Sequence, residues 1–316
     1  MKIIGTGSAL PQKVISNDML SQILDTNDEW ITTRTGIHER RMISNENLID
    51  LAVKSCKSAI ADAGIEPSDL DFIICSNVAN NFITPAMSCI VQGEIDATCP
   101  CIDLNGACAG FIYALEIAES FLQTKKADRI LIVCAEEPTK FCNWHERDTS
   151  VLFGDGAGAV VLTHGSELKS IRLTTTSKYD VLYYRRKMEK TPYDEDTEAY
   201  NPLVMKGRDV FKMAVKASTK DVQVVLDEAH VDVKDVNWFL LHQANARIIE
   251  SIKHNIGAEN GQFPLNLDRY GNTSSASIPI LIDELYKNGK VKTGDILVLS
   301  AFGAGFVSGA CVMQRA

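Results

Sequence analysis

Long apolar runs are missing from this chain. No stretch reaches the ~18–20 uninterrupted apolar residues of a membrane helix, so a membrane-spanning bundle is not expected. The opening residues MKIIGTGSALP suggest a short strand and turn, without the apolar region and cleavage site of a secretory signal; a cytoplasmic location is the expectation. Positive charge is in deficit: 32 Lys and Arg against 41 Asp and Glu leave a net charge of −9. That argues against nucleic acid or a membrane surface as the main partner, while allowing a local basic patch. Cysteine is present without a framework. The nine cysteines are an odd count with no secretion signal, so disulfides are not expected. Cys99 and Cys101 form a C-P-C pair, but no second pair or nearby histidine completes a zinc site. No metal or redox cofactor is expected, and no low-complexity tract occurs. What is there, 316 residues with 45% hydrophobic and 23% charged content, suffices for a sizeable core in one large or two average domains.

The chain echoes itself. Residues 61–77 (ADAGIEPSDLDFIICSN) and 227–243 (DEAHVDVKDVNWFLLHQ) superpose at a shift of 166, placing Ala63 on Ala229, Asp69 on Asp235 and Leu70 on Val236. Each suggests a helix end, a short turn and an apolar strand. The helix before the first copy has small or apolar residues at Leu48, Ala52, Cys56, Ala59 and Ala63, a three-to-four spacing. A second echo closes each half, FGDGAGAVVL (153–162) against FGAGFVSGACVM (302–313). Chance similarity between ordinary helix–strand units would explain one echo; two in the same order favour a duplicated layered α/β fold. The halves divide near His164–Leu168, giving 1–165 with the nucleophile and 166–316 with its partners. Residues 178–205, polar and aromatic with little periodicity, are expected to be a surface excursion near the site.

Three polar residues stand in runs of small or apolar neighbours. Cys108 lies in DLNGACAGF between a plausible strand and a plausible helix. A helix start aims unpaired N–H groups at the sulfur, so a thiolate is expected there, with the same N–H groups serving an oxyanion. Gly106, Ala107, Ala109 and Gly110 leave room for close backbone packing. His242 ends the strand VNWFLL, at the place corresponding to Ser76 in the first half. Asn272, in RYGNTSSASIP, precedes a helix and suits a capping role, which leaves the small residues from Thr273 to Ser277 unexplained. A structural reading exists for each: a buried thiol, a satisfied histidine, a cap. Taken together, a thiol, an imidazole and a carboxamide suit an acyl-enzyme followed by stabilisation of charge on a second thioester.

These residues carry a resemblance along essentially the whole chain. NDEWITTRTGIHERR (27–41), DLNGACAGF, RDTSVLFGDGAGA (147–159), MKGRDVFKMAV (205–215), HQANARI (242–248), GNTSSASIP (271–279) and AFGAGF (301–306) are similar to the β-ketoacyl-acyl-carrier-protein synthase III family of the thiolase superfamily. The resemblance implies a thiolase-like five-layered αβαβα fold of two duplicated halves and a homodimer. It further implies a decarboxylating Claisen condensation of a short acyl-CoA primer with malonyl-acyl-carrier protein, initiating fatty-acid synthesis. On that resemblance Cys108 is the nucleophile, and His242 and Asn272 are neutral donors to the malonyl thioester. The backbone N–H groups of Cys108 and Ala304 form the oxyanion hole. Trp30 and Arg147 sandwich the adenine of CoA, Arg34 lies near its phosphates, and Asn245 lines the pantetheine tunnel. Lys212, Gln243, Ala244, Asn245, Ala246 and Arg247 meet the acyl carrier protein. CoA thioesters are substrates, and no bound cofactor is implied.

The sequence departs from the pattern at three places. Thr84 stands where the best-known members carry phenylalanine at the end of the primer pocket, Ser308 where many have tryptophan, and Ala304 where glycine is usual. They bear on primer identity, with Phe82 and Met87 as neighbours able to refill the space at Thr84. Three rival readings differ in class. A papain-like cysteine hydrolase also orders Cys, His and Asn, but predicts an upstream glutamine that is not seen. A condensing enzyme or acyltransferase of a secondary, polyketide-type pathway shares the triad. A catalytically inert scaffold would bind acyl-CoA or carrier protein without forming a covalent adduct.

Overall fold

The computed structural model describes residues 1–78, 80–185, 202–259 and 262–315. Residues 186–201 of the expected excursion therefore lie outside the described residues. Its described ends pair as two short strands, Leu182–Tyr183 with Val204–Met205.

Two sheets organise the chain. The first joins β1 (Lys2–Ala9), β2 (Phe72–Ser76), β3 (Cys101–Leu104), β4 (Arg129–Glu136) and β5 (Gly156–Thr163) in the order β1-β5-β4-β2-β3. The second joins β6 (Leu168–Thr175), β7 (Trp238–Leu241), β8 (Ile296–Gly303) and β9 (Val307–Gln314) in the order β7-β8-β9-β6. Parallel pairing joins β2 to β3 and β4 in the first sheet and the edge strand β7 to β8 in the second, and the last two strands of each half, β4–β5 and β8–β9, pair antiparallel. The first sheet draws only on residues up to 163 and the second only on residues from 168.

Alternation along the strands builds five layers. In β4, Leu131, Val133 and Ala135 face one core with helix α1 (Leu48–Ala63). Ile130, Ile132 and Cys134 face another core, shared with α2 (Gly110–Gln123) and α5 (Ser277–Lys287). That central core also takes Leu297, Leu299 and Ala301 of β8, while Val298 and Phe302 point to a third core under α3 (Gly207–Ala229) and α4 (Ala246–Ile256). A period of two is what a sheet covered on both faces requires. The layers are thus α, β, α, β, α, the arrangement implied by the resemblance.

The echo is structural. After α1, Gly64 turns left-handed (φ 65°), Pro67–Asp69 forms one 3-10 turn, and β2 follows. After α3, His230 turns left-handed (φ 54°), Val233–Asp235 forms the same turn, and β7 follows. The geometry survives even though histidine replaces the residue type that adopts it without cost.

Helix α1 sits directly on β1. A Cβ at Gly5 would lie 2.2 Å from the Ala59 carbonyl oxygen, and one at Gly7 2.2 Å from that of Ser55. Both obstacles are helix backbone and cannot move aside. Gly5→Ala should therefore destabilise the protein by about 1–3 kcal/mol, lowering the urea midpoint with an unchanged slope; an unaltered midpoint would show that α1 can lift from the sheet.

Candidate active site

The nucleophile turn is built from crowding. Ala107–Ala109 make one 3-10 turn leading into α2. A Cβ at Gly110 would lie 2.0 Å from Ser76 Oγ, and one at Gly106 2.9 Å from the Gly110 Cα, so both positions exclude side chains. Ala107 is held at φ 45°, a conformation costly for a residue with a Cβ. Cys108 is left half-buried at the start of α2.

Residues 272–277 bring the other groups to it. Ser274, itself left-handed at φ 54°, directs its hydroxyl to Cys108 Sγ at 3.3 Å. The Asn272 side-chain oxygen accepts the Ser274 N–H at 2.9 Å. This is a local turn rather than a helix cap, since Thr273 and Ala276 stand at the cap positions that follow; it engages the oxygen, leaving the NH2 group as the donor. Asn272 is fixed on its other side by backbone bonds to Leu152 (2.8 Å) and from Gly154 (3.1 Å), within the RDTSVLFGDGAGA segment. Ser277 Oγ lies 2.7 Å from His242 Nδ1. The Gln243 N–H also approaches Ser277 Oγ, at 3.4 Å, so this one hydroxyl holds both the ring and the backbone beside it. Phe302 packs edge-on against His242, with centroids 5.2 Å apart. The next residue, Gly303, abuts the nucleophile: a Cβ there would lie 2.6 Å from Cys108 N. Residues from both halves thus converge, and Ala304 follows at the turn where the resemblance puts the second oxyanion donor.

Electrostatics correct one expectation. The helix start was expected to favour a thiolate, yet burial pushes the Cys108 thiol up to about 12; the Ser274 hydrogen bond lowers it and the nearby Glu136 carboxyl raises it. Desolvation outweighs the few aligned N–H groups. Cys108 therefore rests as a thiol. Burial drives His242 the other way, to about 3, so the ring is neutral.

Glu136, fully buried at the end of β4, was not anticipated from the sequence. Its carboxyl accepts hydrogen bonds from Ser275 Oγ (2.6 Å), Ser274 Oγ (3.2 Å) and the Val78 N–H (3.1 Å). Burial raises it to about 7 against those hydrogen bonds. In the sequence it is one acid of an ordinary AEEP stretch. The serine-rich run after Asn272 was the available signal that something polar lay behind.

Of the expected CoA residues, Trp30 and Arg34 line one groove, and Arg147 and Asn245 adjoin them. Trp30, Arg34, Met205, Arg208, Phe211 and Arg247 help line a cavity of about 920 Å³, and Lys212 stands on its wall. Four cations on an otherwise acidic chain form the local basic patch. The slot between Trp30 and Arg147 is closed, however: the Arg147 guanidinium lies 4.5 Å and that of Arg34 4.7 Å from the indole centroid. That is one stacking distance, so a base can enter only after an arginine swings away.

The expected carrier-protein residues divide. Lys212 and Arg247 are exposed and Ala246 is partly so. Gln243 and Ala244 are buried, which corrects their assignment to a protein-binding surface. The Gln243 amide donates to the Leu241 carbonyl at 2.8 Å and accepts the Asn266 N–H at 3.1 Å, a bracing role. Asn245 caps α4 by accepting the Arg247 N–H at 2.8 Å and donates to the Arg34 carbonyl at 3.1 Å. It ties the Trp30 helix to α4. Thr84 is exposed, beside Phe82 and Ile83, while Met87 is buried in the core under α1. Ser308, in place of tryptophan, donates to Asp221, which also takes Arg172 Nε at 3.2 Å and Thr174 Oγ1 at 3.0 Å. A polar knot fills the space.

Comparison with known proteins decides the family. The profile described as 3-oxoacyl-[acyl-carrier-protein] synthase III matches residues 102–179, and its C-terminal companion matches 226–315. The chain is 41% identical to the β-ketoacyl-[acyl-carrier-protein] synthase III of Clostridium acetobutylicum, over 99% of this chain and 98% of the relative. It belongs to the synthase III family. The solved 3-oxoacyl-[acyl-carrier-protein] synthase III of Aquifex aeolicus superposes with a TM-score of 0.93 at 39% identity, over 99% of both chains. The priming β-ketosynthase of the R1128 polyketide pathway superposes with a TM-score of 0.92 at 31% identity, over 99% of this chain and 96% of the other. Synthase III enzymes are condensing acyltransferases, and this chain is one.

The neutral imidazole is open to measurement. Because its folded pKa lies below the unfolded value, keeping His242 uncharged costs stability progressively as pH falls through 6.5 toward about 3. Nitrogen NMR of the His242 ring should show a neutral imidazole and no titration between pH 8 and 5; a midpoint near 6.5 would contradict the burial argument.

Proposed function

We propose that the protein catalyses the condensation acyl-CoA + malonyl-acyl-carrier protein + H+ → 3-oxoacyl-acyl-carrier protein + CO2 + CoA, priming fatty-acid synthesis in the cytoplasm. The arrangement that carries the reading is Cys108 linked through Ser274 to Asn272, with His242 locked by Ser277 of the same turn. Cys108 attacks the primer thioester and retains the acyl group, and CoA departs through the basic groove. Malonyl-carrier protein then docks over Lys212 and Arg247, where its acidic surface meets the local positive patch. His242 Nε2–H and the Asn272 NH2 donate to the malonyl thioester oxygen, so that departure of CO2 leaves a stabilised enolate. The carbanion attacks the acyl-Cys108 carbonyl, and the Cys108 and Ala304 N–H groups hold the resulting oxyanion. No step requires a bound metal or redox group. The priming polyketide synthase has the same shape, but its lower identity, 31% against 41%, favours the fatty-acid reading.

Cys108→Ser should abolish the acyl adduct formed with acetyl-CoA. His242→Ala or Asn272→Ala should keep the adduct while decarboxylation falls on the order of 10²–10³-fold, the effect of losing one such donor. Wild-type decarboxylation in both variants would remove them from these roles. A panel of acetyl, propionyl, isobutyryl and longer CoA esters assigns the primer that the exposed Thr84 loop admits.

A homodimer is part of the same proposal. Strand β3 is the edge of the first sheet, with Ile102 49% exposed, and in the same half Phe82 and Ile83 are 46% and 66% exposed. An unpaired apolar edge needs a cover, and a second copy supplies one. Ile102→Glu should shift the sedimenting species from dimer to monomer; a dimer of unchanged stability would place the interface elsewhere.

A further inference from the structure

The two halves meet as a crossed pair. Strands β4 (Arg129–Glu136) and β8 (Ile296–Gly303) lie 167 positions apart, as do the turns Ala107–Ala109 and Ser274–Ala276. Each strand end abuts the other half's turn: Gly303 meets Ala107 and Cys108, and Glu136 meets Ser274 and Ser275. Cys108 thus corresponds to Ser275, and His242 to Ser76, whose hydroxyl donates to Ser275 Oγ at 3.2 Å. The half that carries the thiol has a glycine, Gly303, against its turn. Its counterpart is filled by a carboxyl.

We infer that Glu136 is a positioning residue for Cys108, sharing one proton with the thiol through Ser274 so that the pocket holds a single negative charge, on the carboxyl or on the sulfur. Ser274 Oγ lies 3.3 Å from Cys108 Sγ and 3.2 Å from Glu136 Oε1. Its one proton serves either neighbour, never both. When Ser274 donates to the carboxylate, its oxygen is free to accept from the thiol. Transfer breaks the S–H bond and moves that proton to Ser274 Oγ, while the serine's own proton passes to Glu136. The sulfur keeps the electron pair, and the net charge stays at −1. Losing the thiol proton to solvent instead would bury a second anion beside the first, which low polarity strongly opposes. The titratable groups facing Glu136 are Cys108 from the nucleophile turn and Cys134 from its own strand. Ser76, Val78, Ser274 and Ser275 present only uncharged groups. The raised values of both Cys108 and Glu136 are in keeping with one shared charge. During acylation, which rests on the proposed function, the thiolate forms the new C–S bond and the CoA C–S bond breaks. The departing sulfur takes up one proton, balancing the one lost from Cys108, and Glu136 ends as carboxylate.

The test is the pH dependence of Cys108 alkylation by iodoacetamide, followed by peptide mapping so that exposed Cys89 does not interfere. Wild type should gain about tenfold per pH unit up to a break near pH 7 and change little above it, because each thiolate then needs a proton returned to Glu136. Glu136→Gln should lose the break and keep climbing about tenfold per unit to pH 9, overtaking wild type. Glu136→Asp should retain a displaced break. A structural role for Glu136 leaves the shape of the profile unchanged. A wild-type profile without a break, a Glu136→Gln profile that keeps it, or a Glu136→Asp profile superimposing on wild type would each overturn the shared proton. If Glu136→Gln does not fold, the wild-type and Glu136→Asp profiles still decide. Iodoacetamide needs no acyl substrate, so failure to form an adduct with acetyl-CoA would sink the proposed function separately.

Discussion

The bond on which the site depends is the short reach of Ser274 to the Cys108 sulfur, 3.3 Å. It joins the two halves at the reacting atom. The same few residues fix the carboxamide at one end, through the Ser274 N–H, and the imidazole at the other, through Ser277. Displacing this turn would disorder all three groups at once. The chain holds it with costly backbone: Ala107 and Ser274 are both left-handed without being glycine, and strain of that kind persists only where packing over-determines it.

Packing supplies that constraint through absent side chains. Gly106, Gly110 and Gly303 surround the nucleophile with backbone, at approaches no Cβ would tolerate. Close backbone leaves little water, and little water explains the electrical character of the site. A thiol that is hard to ionise, an imidazole that is hard to protonate and a carboxyl that keeps its proton toward neutrality all follow from one cause, desolvation. The fold makes charge expensive there, which suits the uncharged donors of the proposed reaction.

Much of this was legible in the chain. The duplicated layered fold followed from the repeat and the five layers from the family resemblance, and even the turn after each long helix recurs at the expected shift, Gly64 against His230. Cys108, His242 and Asn272 stood out because each interrupts an apolar or small-residue run. Glu136 did not, since an acid at a strand end looks like a solvated terminus until the opposing half is in place. Gln243 and Ala244 were misassigned for the converse reason: they adjoin exposed residues in sequence but turn inward, where Gln243 braces backbone from Leu241 to Asn266. The thiolate expectation failed because a helix start is a local feature, whereas burial depends on both halves. Arg40 shows the same limit. It resembles a surface charge, yet it is fully buried, and its guanidinium donates to the Val151 carbonyl at 2.9 Å behind the RDTSVLFGDGAGA segment.

Two guanidinium groups already lie within 5 Å of the Trp30 indole centroid. In the proposed reaction, an aromatic ring seeking that indole would have to displace one of them, and the side chain set aside could return as the ring left. Holding would then be weaker and release faster, because an internal cation competes for the same aromatic surface.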